Sequence, residues 1–128
     1  MRPDWDLYFI RIAKEVASRS TCPRASVGAV IVKDNRILAT GYNGAAPGEP
    51  HCTDVGCDIK DGHCQRAIHA ETNAIAQAAK HGIAVEGATL YMYDTKGRYS
   101  QDINAWDCHY CGQLMKAAGI ARACSRGL

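Results

Sequence analysis

The 128-residue chain reads as one α/β domain over residues 1–128, a three-layer α/β/α sandwich on a mixed central sheet. Two observations predict it. Apolar patterning alternates along the chain in the order α-β-β-α-β-α-β. The composition, 47% hydrophobic against 22% charged, supplies enough apolar surface to pack helices on a sheet. No internal repeat, low-complexity tract or linker divides the chain.

Trp5, Phe9, Ile12 and Val16 fall at helical spacing behind Asp4, a plausible N-cap, and predict an amphipathic helix ending near Ser20. The run 27–32 is continuously apolar and β-branched, as a buried strand would be. Asp34-Asn35 makes a turn into a partner strand over 37–42, so the two strands form a hairpin. Residues 43–66 are rich in Gly, Pro, Cys, His and Asp and read as a long loop of the kind that carries function. A helix follows over 68–80, stopped by Gly82, then a strand over 88–93 and a polar loop over 94–107. The chain closes with a helix over 108–118, stopped by Gly119, and a short strand over 120–124.

Charge and targeting exclude several classes. Fifteen Lys and Arg against thirteen Asp and Glu leave +2, too little to mark a nucleic-acid or membrane surface. No apolar run approaches the ~18 residues needed to span a bilayer. The opening residues 1–6 lack a signal-peptide core, and a cytoplasmic location is expected. Seven Cys, an odd number with C-x-x-C spacing, point in that compartment to metal ligation more than to disulfides. Cys124 reads as a small buried residue.

Two short segments carry the chemistry: His69-Ala70-Glu71 and Cys108-His109-Tyr110-Cys111. One imidazole and two thiolates give Zn²⁺ three ligands and leave a fourth position open for water. Each segment opens a predicted helix, where the partial positive charge of the helix start favours thiolate. Cys108 and Cys111, three apart, share a helix face, and Asp107 is a candidate cap for that helix. Singly, His69 would read as an ordinary helix histidine and the Cys pair as core filling. Together, in this order, they read as one zinc site. Glu71 sits too close to His69 to co-ligate easily, and His109 points off the face of the Cys pair. Three ligands plus water is the simpler arrangement, and it leaves Glu71 free to move protons. His-x-Glu followed by Cys-x-x-Cys is the pattern of zinc nucleobase deaminases.

Further segments narrow the pattern. Thr21-Cys22, the run 27–32, the stretch 39–44 (ATGYNG), His51-Cys52, His69-Ala70-Glu71 with Asn73-Ala74-Ile75, the stretch 86–91 (EGATLY) and Ala118-Gly119-Ile120 resemble the deoxycytidylate (dCMP) deaminases. These are a branch of the cytidine deaminase-like zinc-dependent superfamily. The resemblance covers nearly the whole chain except 94–107. It implies the cytidine deaminase-like fold and hydrolysis of dCMP to dUMP with release of ammonia. It implies Zn²⁺ on His69, Cys108 and Cys111, with Glu71 as proton shuttle. It implies Asn43 at the sugar hydroxyl and the Ala70 backbone at the base. It also implies a homo-oligomer and dCTP or dTTP as effectors.

The same resemblance suggests a second, structural zinc drawing on positions such as Cys22 and Cys52. Four of Cys22, Cys52, Cys57, His63 and Cys64 would close such a site, or the five stand unliganded in the long loop. The substrate phosphate needs Arg, Lys or N–H donors, and Arg24 and Arg66 lie beside motif segments, as ordinary surface arginines also would.

The chain departs from the family in two places. Asp107 stands where the family has Pro, and the connection 94–106 is longer than usual. That connection is either a surface insertion or a segment that reshapes the substrate pocket. The second possibility keeps open a deaminase of another aminated heterocycle, such as a nucleoside, a modified nucleotide or a secondary metabolite. Nucleic-acid editing is disfavoured by the weak net charge. A silent nucleotide-binding zinc module is disfavoured by Glu71, a carboxylate that mere binding does not need.

Overall fold

The computed structural model describes residues 1–23, 25–60, 63–64, 66, 68–95, 103–104 and 109–125; for 63–64, 103–104 and 109–111 only the backbone is described. Helix α1 (Trp5–Ala17) starts where Asp4 accepts a hydrogen bond from the Leu7 N–H at 2.7 Å. It stops three residues short of the sequence expectation. The N–H groups of Ser18, Arg19 and Ser20 turn to the carbonyls of Glu15, Val16 and Ala17, a tightened i to i−3 pattern that ends the α-helix.

Strands β1 (Val27–Lys33) and β2 (Arg36–Tyr42) form the expected antiparallel hairpin. Its turn residues Asp34 and Asn35 have φ of 54° and 59°, the left-handed pair that a tight two-residue hairpin turn requires. The segment beyond β2 holds helix α2 (Cys52–Val55) and a small antiparallel ribbon, β3 (Ile59–Lys60) with β4 (His63–Cys64). It is therefore not the plain loop expected; elements of about one period are too short for a sequence pattern to repeat. Helix α3 (Ala70–Lys80) begins two residues later than expected, because both backbone groups of Ile68 bond to Gly44 and hold it extended.

Strand β5 (Thr89–Asp94) matches expectation. Within the expected loop 94–107, Ile103–Asn104 forms an additional strand, β6. Helix α4 (His109–Ala117) and strand β7 (Arg122–Ser125) follow. β7 starts later than expected because the Ile120 N–H caps α4 through the Met115 carbonyl, while the Ala121 N–H goes to the Ala88 carbonyl. The sheet order is β2-β1-β5-β7-β6; β5 and β7 pair parallel and every other pair is antiparallel. No described helix is long and apolar enough to cross a membrane.

Alternation along the strands divides the core into two layers, as the sandwich predicted. Val30, Val32, Tyr91 and Cys124 pack against Phe9, Ile10 and Ala13 of α1. Ala29, Ile31, Leu90, Met92 and Ala123 pack against Ala70, Ala74 and Ala78 of α3 and Met115 of α4. Each layer contains one backbone-to-backbone approach. A Cβ at Gly28 would lie 2.6 Å from the Ala17 nitrogen and closer still to the Ala13 carbonyl oxygen. A Cβ at Gly41 would lie 2.5 Å from the Ala70 carbonyl oxygen and closer still to the Ala74 nitrogen. Gly41→Ala is therefore expected to cost roughly 2–3 kcal/mol and to lower Tm by about 8 °C. A thermal melt followed by circular dichroism checks this; an unchanged Tm would mean that α3 shifts away freely.

On the α1 face, Asp6 accepts hydrogen bonds from the Tyr91 hydroxyl at 2.7 Å and from both terminal nitrogens of Arg122 at 2.9 and 2.7 Å. Burial, reinforced by the Asp6 contact, pushes the Tyr91 hydroxyl above the usual tyrosine range. The folded chain thus holds this proton more tightly than the unfolded one. The resulting stability is complete below the ordinary tyrosine value of about 10 and is lost as pH rises above it. Tyr91→Phe is expected to flatten the fall in Tm between about pH 10 and 12. Parallel melts of the two proteins over that range give the answer.

Candidate metal and substrate site

The region where β2 leads toward α3 is fastened by two asparagines. Asn43, 9% exposed, accepts from the Val27 N–H at 2.9 Å through its side-chain carbonyl and donates to the Ala25 carbonyl at 2.8 Å. Its own backbone carbonyl accepts from the Thr21 N–H and from the Ser20 hydroxyl, so residues 20–27 are strapped to it. Asn73, in α3, donates to the Tyr42 carbonyl at 2.7 Å and to the Gly44 carbonyl at 3.3 Å. Gly44 and Ile68 exchange two backbone hydrogen bonds as an isolated bridge. Together these contacts fix where α3 begins.

His69 is the residue that precedes that helix. It is extended, with φ −62° and ψ 148°, and its side chain is exposed and caps nothing in the helix. Ala70 is buried as the first helical residue. Glu71 stands in the first turn, 5% exposed, and its carboxylate has no hydrogen-bond partner among the described residues. Cys111 lies in the opening turn of α4, which packs with α3 over one face of the sheet. Its side chain, and Cys108 altogether, lie outside the described residues. The donor chemistry of one imidazole and two thiols suits zinc.

Of the five candidates for a second zinc, Cys22 and Cys57 are half-buried and Cys52 is buried. The Thr53 N–H donates to the Thr21 carbonyl at 3.1 Å, which joins α2 to the segment carrying Cys22. The backbones of His63 and Cys64 run in β4 opposite Lys60 and Ile59, and their side chains lie outside the described residues. Among the described residues no three His, Cys, Asp or Glu converge. Arg66, half-buried, donates from Nε to the Gly56 carbonyl at 3.1 Å. Arg24 lies outside the described residues.

Sequence reasoning missed several residues here. Asn73 was read only as part of a motif, although it clamps α3 to β2. Asp94, 6% exposed, pairs with Val27 and so faces the α3 and α4 layer; its place in the alternation after Leu90 and Met92 was the available signal. The Thr21 hydroxyl oxygen and His51 Nδ1 are buried without a hydrogen-bond partner among the described residues, and the motif segments that contain them give no sign of it.

Comparison with known proteins completes the picture. ComE operon protein 2 of Bacillus subtilis is 52% identical over 119 residues, covering 93% of this chain; the chain spans only 57% of that relative's length. The deoxycytidylate deaminase of Mycobacterium phage D29 is 38% identical, with 94% of this chain and 93% of the relative covered. The crystal structure of the dCMP deaminase of cyanophage S-TIM5, in complex with dCMP and dUMP, superposes with a TM-score of 0.70 at 29% identity, over 94% of this chain and 79% of that one. Residues 3–125 match the family described as the cytidine and deoxycytidylate deaminase zinc-binding region, and the chain belongs to that family.

Proposed function

We propose that the chain hydrolyses dCMP to dUMP and ammonia in the cytoplasm, with zinc held by His69, Cys108 and Cys111. The observation that carries this reading is Glu71, nearly buried in the first turn of the helix that begins after His69. The relatives named deoxycytidylate deaminase support the substrate. Zinc bound there would supply Lewis acidity, making water a usable nucleophile near neutral pH. Glu71 takes the proton of the attacking water, passes it to N3 of the ring and assists the departure of ammonia from C4. A single group does both because it alternates between carboxylate and acid. One water is consumed and one ammonia released.

Asn43 contacts the sugar hydroxyl. Its amide keeps one N–H and one lone pair outside the two bonds that lock it. The Ala70 N–H, which as the first helical amide has no intrahelical acceptor, contacts the base. Arg66 offers the phosphate its terminal nitrogens, Nε being already engaged, and Arg24 assists. The protein works as a homo-oligomer and takes dCTP and dTTP as effectors. A second reading, deamination of another aminated heterocycle, is favoured by one feature: Asp107 and the long 94–106 connection stand where the family has Pro and a shorter link.

Ammonia release and loss of cytosine absorbance are to be followed with dCMP, dCTP, deoxycytidine and cytosine on zinc-loaded protein. Fast turnover of dCMP alone is expected, and no turnover of any of the four moves the reading to the second substrate class. In the same assay Glu71→Gln is expected to keep its zinc and lose about 10²–10⁴-fold in rate. Substantial retained activity would overturn the shuttle role.

We also propose that four of Cys22, Cys52, Cys57, His63 and Cys64 hold a second, structural zinc. Thiols brought to neighbouring segments by the Thr53–Thr21 bond support it. Plasma emission analysis of purified protein should return two zinc per chain; one per chain removes the idea.

A further inference from the structure

The long connection between β5 and α4 returns to the sheet. Ile103 pairs with Ser125 and Asn104 with Cys124, so β6 occupies the edge of β7. α4 is thereby pinned at both ends to one strand. Its C-terminal end is held where Ile120 caps it and the chain turns into β7. Its N-terminal end follows β6, which pairs with that same β7. Asn104 lies only four residues before Cys108.

We propose that β6 is a positioning element for the zinc thiols: its backbone pairing to β7 sets where α4, the helix that carries Cys111, begins. This rests on the zinc reading above. The family's Pro fixes φ in the first turn and so orders that turn locally. Asp107 cannot do so, and β6 supplies the order from outside the helix. Without β6, the nearest strand upstream among the described residues ends at Asp94, fourteen residues before Cys108 rather than four. The probability that a chain presents its end at a fixed point falls as the three-halves power of the loop length. Moving the anchor from four to fourteen residues therefore weakens thiol presentation about six-fold, and it does so once, since the two thiols stand only three residues apart in sequence.

The test is zinc affinity, read by competition with a chromophoric chelator on the full chain, for four proteins. These are the parent, the double variant Ile103→Pro/Asn104→Pro, the double variant Ile103→Ala/Asn104→Ala, and the parent with four Gly/Ser residues inserted after Asn104. Proline removes the backbone donors of β6 whichever of them faces β7, while alanine keeps them. The expected result is about six-fold weaker zinc for the proline variant, parent affinity for the alanine variant, and about three-fold weaker zinc for the lengthened tether. Parent affinity in both the proline and lengthened variants overturns the positioning role while leaving the zinc site standing. Alanine as damaging as proline also overturns it, by making side chains rather than pairing responsible. If the proline variant fails to fold, the lengthened tether, in which β6 is intact, decides alone. A parent that takes up no zinc overturns both this proposal and the reading beneath it.

Discussion

The site depends on a contact between backbones. At Gly41 the first turns of α3 lie directly against β2, with the Ala70 carbonyl and Ala74 amide filling the space a side chain would occupy. Because both partners are backbone, neither can move aside by changing rotamer, and the separation of helix and strand is fixed. Asn73 then bonds to the carbonyls of Tyr42 and Gly44, and the Gly44–Ile68 bridge stops the helix from starting earlier. The position of Glu71 follows from these constraints. A carboxylate one turn into a helix whose axis and first residue are both fixed has little freedom to relax toward solvent.

The two faces of the sheet carry different burdens. On the α1 side the contacts are large and mutually satisfied: Phe9 packs against Tyr91, and Asp6 joins the Tyr91 hydroxyl to the Arg122 guanidinium. On the other side the α3 residues against the sheet are small, Ala70, Ala74 and Ala78, and a polar residue, Glu71, is buried among them. Small side chains let α3 lie close; the cost is a layer with less apolar burial per residue. The aromatic face compensates for it. The Asp6–Tyr91–Arg122 cluster and the buried Glu71 therefore occupy opposite layers of one sheet.

Much of this was legible from residue order. The run 27–32, the Asp34-Asn35 turn and the helix caps at Asp4, Gly82 and Gly119 each carry their own local physics, and the structure places the elements within a few residues of where that physics points. That His69 and Glu71 stand together at the start of one helix was also legible, because they are two residues apart: His69 is its N-cap and Glu71 lies in its first turn. What escaped has two causes. α2, β3, β4 and β6 span only about one hydrophobic period each, so no repeat announces them. The roles of Gly41, Asn73 and Asp94 depend on partners that tertiary pairing brings together. Asn43 belongs to the same class: its amide is committed first to Ala25 and Val27, and any contact with a sugar uses what remains.

Parallel pairing of β5 with β7 explains why the long connection can exist at all. A parallel pair needs a crossover, here through α4, and leaves the far edge of β7 open to another strand. An open edge of unpaired amides invites association with other chains. β6 closes it with two residues of the chain's own insertion. The same two residues shorten the free path into α4 from fourteen residues to four. An insertion of this length could have been extruded as a surface loop with no consequence for the sheet. By returning to the edge beside the helix that carries Cys111, it is coupled to the geometry of that helix, and a change in β7 would be felt at both ends of α4.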